Sequence, residues 1–396
     1  MRTINATYNC QKKEFIMIYL DYAATSGKKP EGVYEAVLHA LRDVSGNPGR
    51  SGHKLSLQAG KLVIETRMLC SRLFHAESAE SIVFCSNATD ALNLAIRGVL
   101  KAGNHVISSH LEHNSVARPL EHLKDEGVEV TKLKSSLDSG VDPEDVKAAI
   151  KDNTKLVIMT HISNVTGTVN DIDAIGRVCR EKGVLFLVDA AQSAGARKID
   201  VQKMNIDLLA FPGHKCLYGP QGTGGLYIKP GVDLRTLKQG GTGSKSEMLH
   251  QPDDLPDKYE SGTLNVPGIA GLGAGISFIM NEGQEKIEKR EKFLVDMLVG
   301  KLKEIPNVKV LCSENDRGCV VSITIDGYEP QDVAIMLNQV FDIAVRSELH
   351  CAPDAHQVIG TLNCSGTVRI SPNYFTTEEE IECCVEAIQL ISSGKL

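Results

Sequence analysis

No apolar stretch in this chain approaches the roughly 20 residues needed to span a bilayer, so no membrane-spanning protein is expected. No block of Lys or Arg stands out and the formal net charge is −7, which leaves no electrostatic case for nucleic acid or an anionic membrane surface. Lys12 and Lys13 are not followed by an apolar core, so no signal peptide is read. There is no internal repeat and no low-complexity tract. No Cys-x-x-Cys pair occurs among the eleven cysteines, so zinc or iron–sulfur binding of the usual spacing is not indicated and no metal site is expected. The cysteine count is odd in a long chain, which argues for a reducing compartment rather than a disulfide framework. A cytoplasmic location follows as the expectation, with most thiols serving as small core residues.

What is present is the composition of an ordinary globular protein, 42% apolar and 23% charged over 396 residues, enough for a large core and two domains. Between about residues 60 and 230, short apolar strands alternate with helical patterns. The strands are Ser81 to Cys85, His105 to Ser108, Val128 to Leu133, Lys155 to Thr160, Val184 to Val188, Asp207 to Phe211 and Gly224 to Ile228. This alternation predicts an α/β protein with a mostly parallel open sheet, whose ligands bind beyond the strand C-terminal ends. Residues 237–262 are polar and rich in Gly and Pro, and read as a long loop. Gly240-Gly241-Thr242-Gly243-Ser244-Lys245 lacks the spacing of a P-loop. Beyond it the pattern becomes α+β. It has a helix from about Ile269, a long charged helix Gln284 to Lys303, strands near Val308, Cys319 to Ile325 and Ile343 to Val345, and a helix from Thr377.

Two strand ends carry the chemistry. The apolar run Val184 to Val188 ends in Asp189-Ala190-Ala191-Gln192, and the next run, to Phe211, ends in Pro212-Gly213-His214-Lys215. A carboxylate and a lysine at tandem strand ends can face one small ring from two sides. Pyridoxal phosphate (PLP) needs that pair: the lysine holds the cofactor covalently, and the carboxylate keeps the pyridine nitrogen protonated. The plainer reading, a strand-end Asp and a surface Lys, is set aside because the pair shares a Gly-rich flank.

With these segments in view, the chain resembles the class V aminotransferase superfamily (PLP fold type I), and within it the cysteine desulfurase and selenocysteine lyase group. The resemblance runs from Tyr19-Leu20-Asp21-Tyr22-Ala23-Ala24-Thr25 to Arg369. It implies a large domain with a mostly parallel seven-stranded sheet and a smaller α+β C-terminal domain. The boundaries expected are an N-terminal extension 1–16, a segment 17–30 packing with the small domain, a large domain 31–268 and a small domain 269–396. It also implies a homodimer.

The resemblance assigns residues. Cys85-Ser86-Asn87-Ala88-Thr89-Asp90, between strand and helix, matches the segment that cradles the cofactor phosphate, although Asn87 or Thr89 as a plain helix cap is the simpler reading. Ala88 and Pro212 stand where the group often has hydroxyl residues, which shifts weight to His214 and backbone amides. Thr263 matches a threonine that reaches the phosphate of the partner subunit's site. His113 matches an imidazole that stacks on the pyridine ring and moves protons. Asn164 and Gln192 match residues that hydrogen-bond the substrate carboxylate side and the cofactor's phenolic oxygen. Arg369, on an apolar strand, matches the guanidinium that clamps the substrate α-carboxylate, and Arg346 and His53 complete the implied substrate set.

Cys351 lies in Arg346-Ser347-Glu348-Leu349-His350-Cys351-Ala352. This resembles the Arg-x-Gly-His-His-Cys-Ala loop of the SufS-like (type II) desulfurases, with Glu348 and Leu349 in place of the glycine and the first histidine. Burial is the ordinary fate of a cysteine, but the polar setting and nearby Arg346 favour an accessible thiol. The expected activity is PLP-dependent cysteine desulfuration, L-cysteine to L-alanine, with a persulfide on Cys351 for a sulfur-acceptor protein. The alternatives are a selenocysteine lyase acting on L-selenocysteine, an aminotransferase or epimerase in which Cys351 is incidental, and a binding protein without turnover.

Overall fold

Apolar runs that are buried on both sides dictate the centre of the molecule. The computed structural model describes residues 17–49 and 52–395; the expected extension 1–16 lies outside them. The described strands are β1 (Ile18–Tyr19), β2 (Ile82–Cys85), β3 (His105–Ser109), β4 (Glu129–Leu133), β5 (Thr154–Thr160), β6 (Leu185–Asp189), β7 (Leu208–Pro212), β8 (Gly224–Ile228), β9 (Val308–Leu311), β10 (Val321–Ile325), β11 (Ile343–Ala344) and β12 (Val368–Ile370). Seven of them form one sheet in the order β2-β8-β7-β6-β5-β3-β4, in which β8 alone runs antiparallel to its neighbours.

Side chains alternate across this sheet into two cores. Val157, Met159, Phe186, Val188, Leu209 and Phe211 enter one; Leu156, Ile158, Leu187, Leu208 and Ala210 enter the other. Helices Lys54–Phe74, Ile172–Lys182 and Val266–Glu282 cover the first face. Helices Ala88–Val99 and Asn114–Asp125 cover the second. Each fully buried aliphatic side chain contributes about 2 kcal/mol, so the strand ends above these cores are held firmly.

A third core gathers Leu294, Leu298 and Leu302 from helix Gln284–Lys303 with Ile381, Ile388 and Ile391 from helix Glu378–Ser392. They pack on the antiparallel sheet β12-β10-β9. Thr377 and Glu380 form a reciprocal capping box that starts the last helix. Leu20 joins this core, and β1 pairs in parallel with β11, so the N-terminal segment is tied to the C-terminal part. The expected boundary between residues 268 and 269 needs correction. It falls inside helix Val266–Glu282, whose Ile269, Leu272, Ile276 and Ile279 belong to the core of the large sheet. Gly275 lets this helix close on the chain at Leu217: a Cβ there would stand 2.2 Å from the Leu217 carbonyl oxygen.

Candidate active site

The site lies where β6 and β7 end side by side. These strands pair in parallel, with Asp189 opposite Ala210, and one residue beyond β7, Gly213, brings the chain to His214 and Lys215. A cavity of about 230 Å³ opens here, lined among others by Thr89, His113, Asp189, Lys215, Arg346 and Arg369. Ala88, Asn164, Gln192 and His214 also line it. Eight of the residues expected from the strand-end, loop and helix-start motifs, drawn from distant parts of the chain, therefore meet in one space with Lys215 and Arg346.

Asp189 is 2% exposed. Its Oδ1 accepts the amide of Ala191 at 2.9 Å, and burial pushes its carboxyl up while Ala191 and Lys215 pull it down. Burial drives Lys215 the other way, to about 8, reinforced by Arg369 and opposed by Asp189. His113 caps helix Asn114–Asp125. Its Nδ1 accepts from the Ser115 amide at 3.1 Å and lies 2.8 Å from the Ser115 hydroxyl, so its proton resides on Nε2. Burial and then Lys215 lower its pKa to about 4. Ser115 in turn meets the Thr89 hydroxyl at 2.7 Å. His214 lies 3.1 Å from the Thr25 hydroxyl through Nδ1 and is lowered to about 4 by burial and Lys215.

The residues fit a bound PLP. A buried carboxylate and a lysine line one space, which is lined as well by the first turn of helix Ala88–Val99, whose leading amides have no partner within the helix. Asn87 does cap this helix, its Oδ1 accepting from Asp90 at 2.9 Å. Gly224 of β8 lets the loop pass close: a Cβ there would stand 2.8 Å from the Asn87 backbone.

Arg369 is 1% exposed. It donates to Asp21 at 2.7 Å and to the Asn164 carbonyl at 3.2 Å, and its buried Nε has no partner among the described residues. Asn164 itself donates from Nδ2 to the His350 carbonyl at 2.7 Å, so it holds the cysteine loop as well as lining the cavity. Gln192 donates to the Ala23 carbonyl at 3.0 Å.

Cys351 does not line the cavity of Lys215. It lines a neighbouring, more open space of about 400 Å³ with Asn114, Arg118, Lys132 and Asp354. Arg346 joins the two, lining the first and donating from Nη2 to the Cys351 Sγ at 3.2 Å. The loop around the thiol is backbone-strained: Glu348, His350 and Cys351 have φ of 80°, 48° and 59°. It is fixed by the Asn114 amide donating to the Cys351 carbonyl at 2.7 Å, the Thr367 amide donating to the Glu348 carbonyl at 3.2 Å, and His350 Nε2 lying 2.9 Å from the Thr367 hydroxyl.

Two expected residues are not brought in. His53 caps helix Lys54–Phe74, accepting from Ser56 at 3.3 Å, and Thr263 is exposed; neither lines the cavity of its own chain. Asp21 and Ser115 were missed. Asp21 stood inside a quoted motif, and Ser115 two residues after His113, but only the fold shows what each touches.

The chain belongs to the aminotransferase class-V family, which it matches over residues 18–383. Among its relatives, it is 36% identical over 380 residues to a probable cysteine desulfurase of Methanothermobacter thermautotrophicus, covering 95% of this chain and 94% of that protein. It is likewise 36% identical over 395 residues to the cysteine desulfurase IscS of Shewanella amazonensis, covering 96% and 93%. The apo cysteine desulfurase of Thermococcus onnurineus has a similar structure, with TM-score 0.89 at 32% identity over 96% of this chain and 95% of that one. The cysteine desulfurase CsdA of Escherichia coli gives 0.84 at 26% identity, over 96% and 95%.

Proposed function

We propose that this chain is a PLP-dependent cysteine desulfurase that converts L-cysteine to L-alanine and keeps the sulfur as a persulfide on Cys351. One observation carries this reading: Lys215, Asp189 and Arg369 share a cavity to which the Cys351 thiol is joined through Arg346. Lys215 would hold PLP covalently, with Asp189 at the ring nitrogen and His113 against the ring. Thr89, the Ala88 amide, His214 and, from the partner subunit, the residue equivalent to Thr263 would hold the phosphate. Gln192 and Asn164 would serve the phenolic oxygen. When bound, PLP supplies an electron sink for the carbanion formed at the substrate Cα.

The residues of the chain do the rest. Arg369 binds the substrate α-carboxylate, for which its unpartnered Nε is available. Lys215 would take the Cα proton; its lowered pKa keeps a usable fraction of neutral amine near neutral pH. Neutral His113 offers an Nε2–H in the same space. The Cys351 sulfur, aimed by Arg346, attacks the substrate sulfur. An S–S bond forms as the Cβ–S bond breaks; the proton given up by the Cys351 thiol ends on Cβ, and Lys215 returns the Cα proton to complete alanine. An acceptor protein then takes the outer sulfur.

A homodimer fits exposed apolar side chains that recur at helical spacing: Tyr34, Leu38 and Leu41 on one helix, and Leu57, Ile64 and Met68 on another. His53 and Thr263, outside their own cavity, would then serve the partner's site. No helix among the described residues is long and apolar enough to cross a membrane. The odd cysteine count in a long chain favours a reducing, cytoplasmic location. The test is optical. Purified protein should show the visible band of lysine-bound PLP, and Lys215→Ala should lose both the band and turnover. A colourless wild type that does not take up added PLP would sink the proposal.

A further inference from the structure

Lys215 borders a second space besides the cofactor cavity. A small chamber of about 20 Å³ is lined by Lys215, Gln192, Cys216, Glu291, Cys319 and Asn373, among others. That is room for about one water, and the lining offers enough polar partners to hold it. Glu291 is the acidic group there. It projects from helix Gln284–Lys303, is 3% exposed, and its Oε2 accepts from the Cys319 thiol at 3.5 Å. No step of the desulfuration described above uses it.

The surroundings favour a neutral acid. Burial pushes Glu291 up to about 7, and Glu288 adds to this; the Cys319 thiol, the Tyr374 amide and Arg197 pull the other way. Arg197 is already ion-paired with Glu288 at 2.5 Å and with Asp316 at 2.8 Å. Cys216 and Tyr218 also feel the acid, and the buried Tyr218 hydroxyl has no partner among the described residues. Lys215 meets Asp189, Arg369, Arg346 and Cys216, with His113 and His214 close by. An ionised Glu291 would therefore find one titratable amine across the chamber, and its charge would hold that amine as ammonium.

We propose that Glu291 is a positioning residue for Lys215: through one water in the chamber it holds the ε-amino group whenever that group is not bonded to the cofactor, and by losing its own proton it determines when the amine becomes charged. This rests on the reading that Lys215 carries PLP. Only the unprotonated amine can condense with an aldehyde, so uptake of PLP by the apo protein reports the amine directly, without turnover.

The experiment follows the rate of PLP uptake by the visible band, as a function of pH, for apo wild type, Glu291→Gln, Glu291→Asp and Cys319→Ala. In Glu291→Gln no ionised form exists, so the midpoint of the rate profile moves to lower pH by about one unit. Glu291→Asp keeps the charge and stays near wild type. Cys319→Ala removes a donor to the carboxylate, keeps Glu291 neutral to higher pH, and shifts the midpoint the same way by less. This variant carries the test if Glu291→Gln does not fold. Midpoints equal to wild type in Glu291→Gln or, failing that variant, in Cys319→Ala overturn the inference alone. A wild type that takes up no PLP overturns the proposed function and this inference with it.

Discussion

The Nη2 of Arg346 donates to the Sγ of Cys351 at 3.2 Å. This single contact links the space that holds Lys215 to the space into which the thiol opens. Arg346 is itself held by paired backbone bonds to Arg369, 2.7 Å and 3.2 Å long. The substrate clamp and the thiol are thus set by one pair of adjacent chain segments.

Arg346→Met should keep the cofactor absorption, because Lys215, Asp189 and the Thr89 segment are untouched. It should slow persulfide formation by about 30-fold, the loss of one charged hydrogen bond of about 2 kcal/mol that aims the attacking sulfur. Single-turnover quenching with L-cysteine and mass analysis of Cys351 measures this. A variant as fast as wild type would remove Arg346 from the mechanism.

Glu348 sits at φ 80°, where a glycine carries no Cβ penalty and any other residue is strained. Glu348→Gly should therefore stabilise the protein by about 1 kcal/mol, once the greater chain entropy of glycine is offset. Urea denaturation gives the answer, and an unchanged or lowered midpoint would show that the exposed Glu348 side chain compensates the strain.

Acid should destabilise the apo protein below about pH 6.5. Burial lowers His113, His161, His214 and His356 to about 4 and His350 to about 2, from an ordinary 6.5. Between those limits the unfolded chain binds protons that the folded one refuses, so stability is lost as pH falls through the window. Glu112 and Glu291, raised to about 8 and about 7, act oppositely, since the folded state holds their protons above the ordinary 4.5. Five imidazoles against two acids leave a net loss of roughly 1–4 kcal/mol per pH unit between 6.5 and 4.5. Denaturant midpoints across that range should fall with pH; a flat series would contradict these burial effects.

The large sheet was legible because its strands are continuous apolar runs, and β5, β6 and β7 fall within a residue of where the sequence puts them. Asp189 and Lys215 were legible for the same reason, since strand ends fix where a ligand can lie. A helix from about Ile269 was legible too, but that Val266–Glu282 belongs to the core of the large sheet was not, because its many glycines blur any apolar stripe and its packing is decided by close approach. The role of Asp21 was hidden by the 348 residues that separate it from Arg369. The strain in the Cys351 loop was equally hidden: sequence showed that glycine was absent at Glu348, but only the backbone shows a conformation that suits glycine.

The central claim is the transfer of sulfur to Cys351. Loaded enzyme is mixed with L-cysteine, and alanine and Cys351 persulfide are quantified together. Wild type should give both in equal first-turnover amounts. Cys351→Ser should give neither while keeping the cofactor absorption, and should still release selenium from L-selenocysteine, which leaves more readily without a nucleophile. Alanine from L-cysteine at the wild-type rate in Cys351→Ser would contradict the account and turn attention to exposed Cys364. A wild type that makes no alanine but exchanges amino groups with a keto acid would replace it with a transaminase.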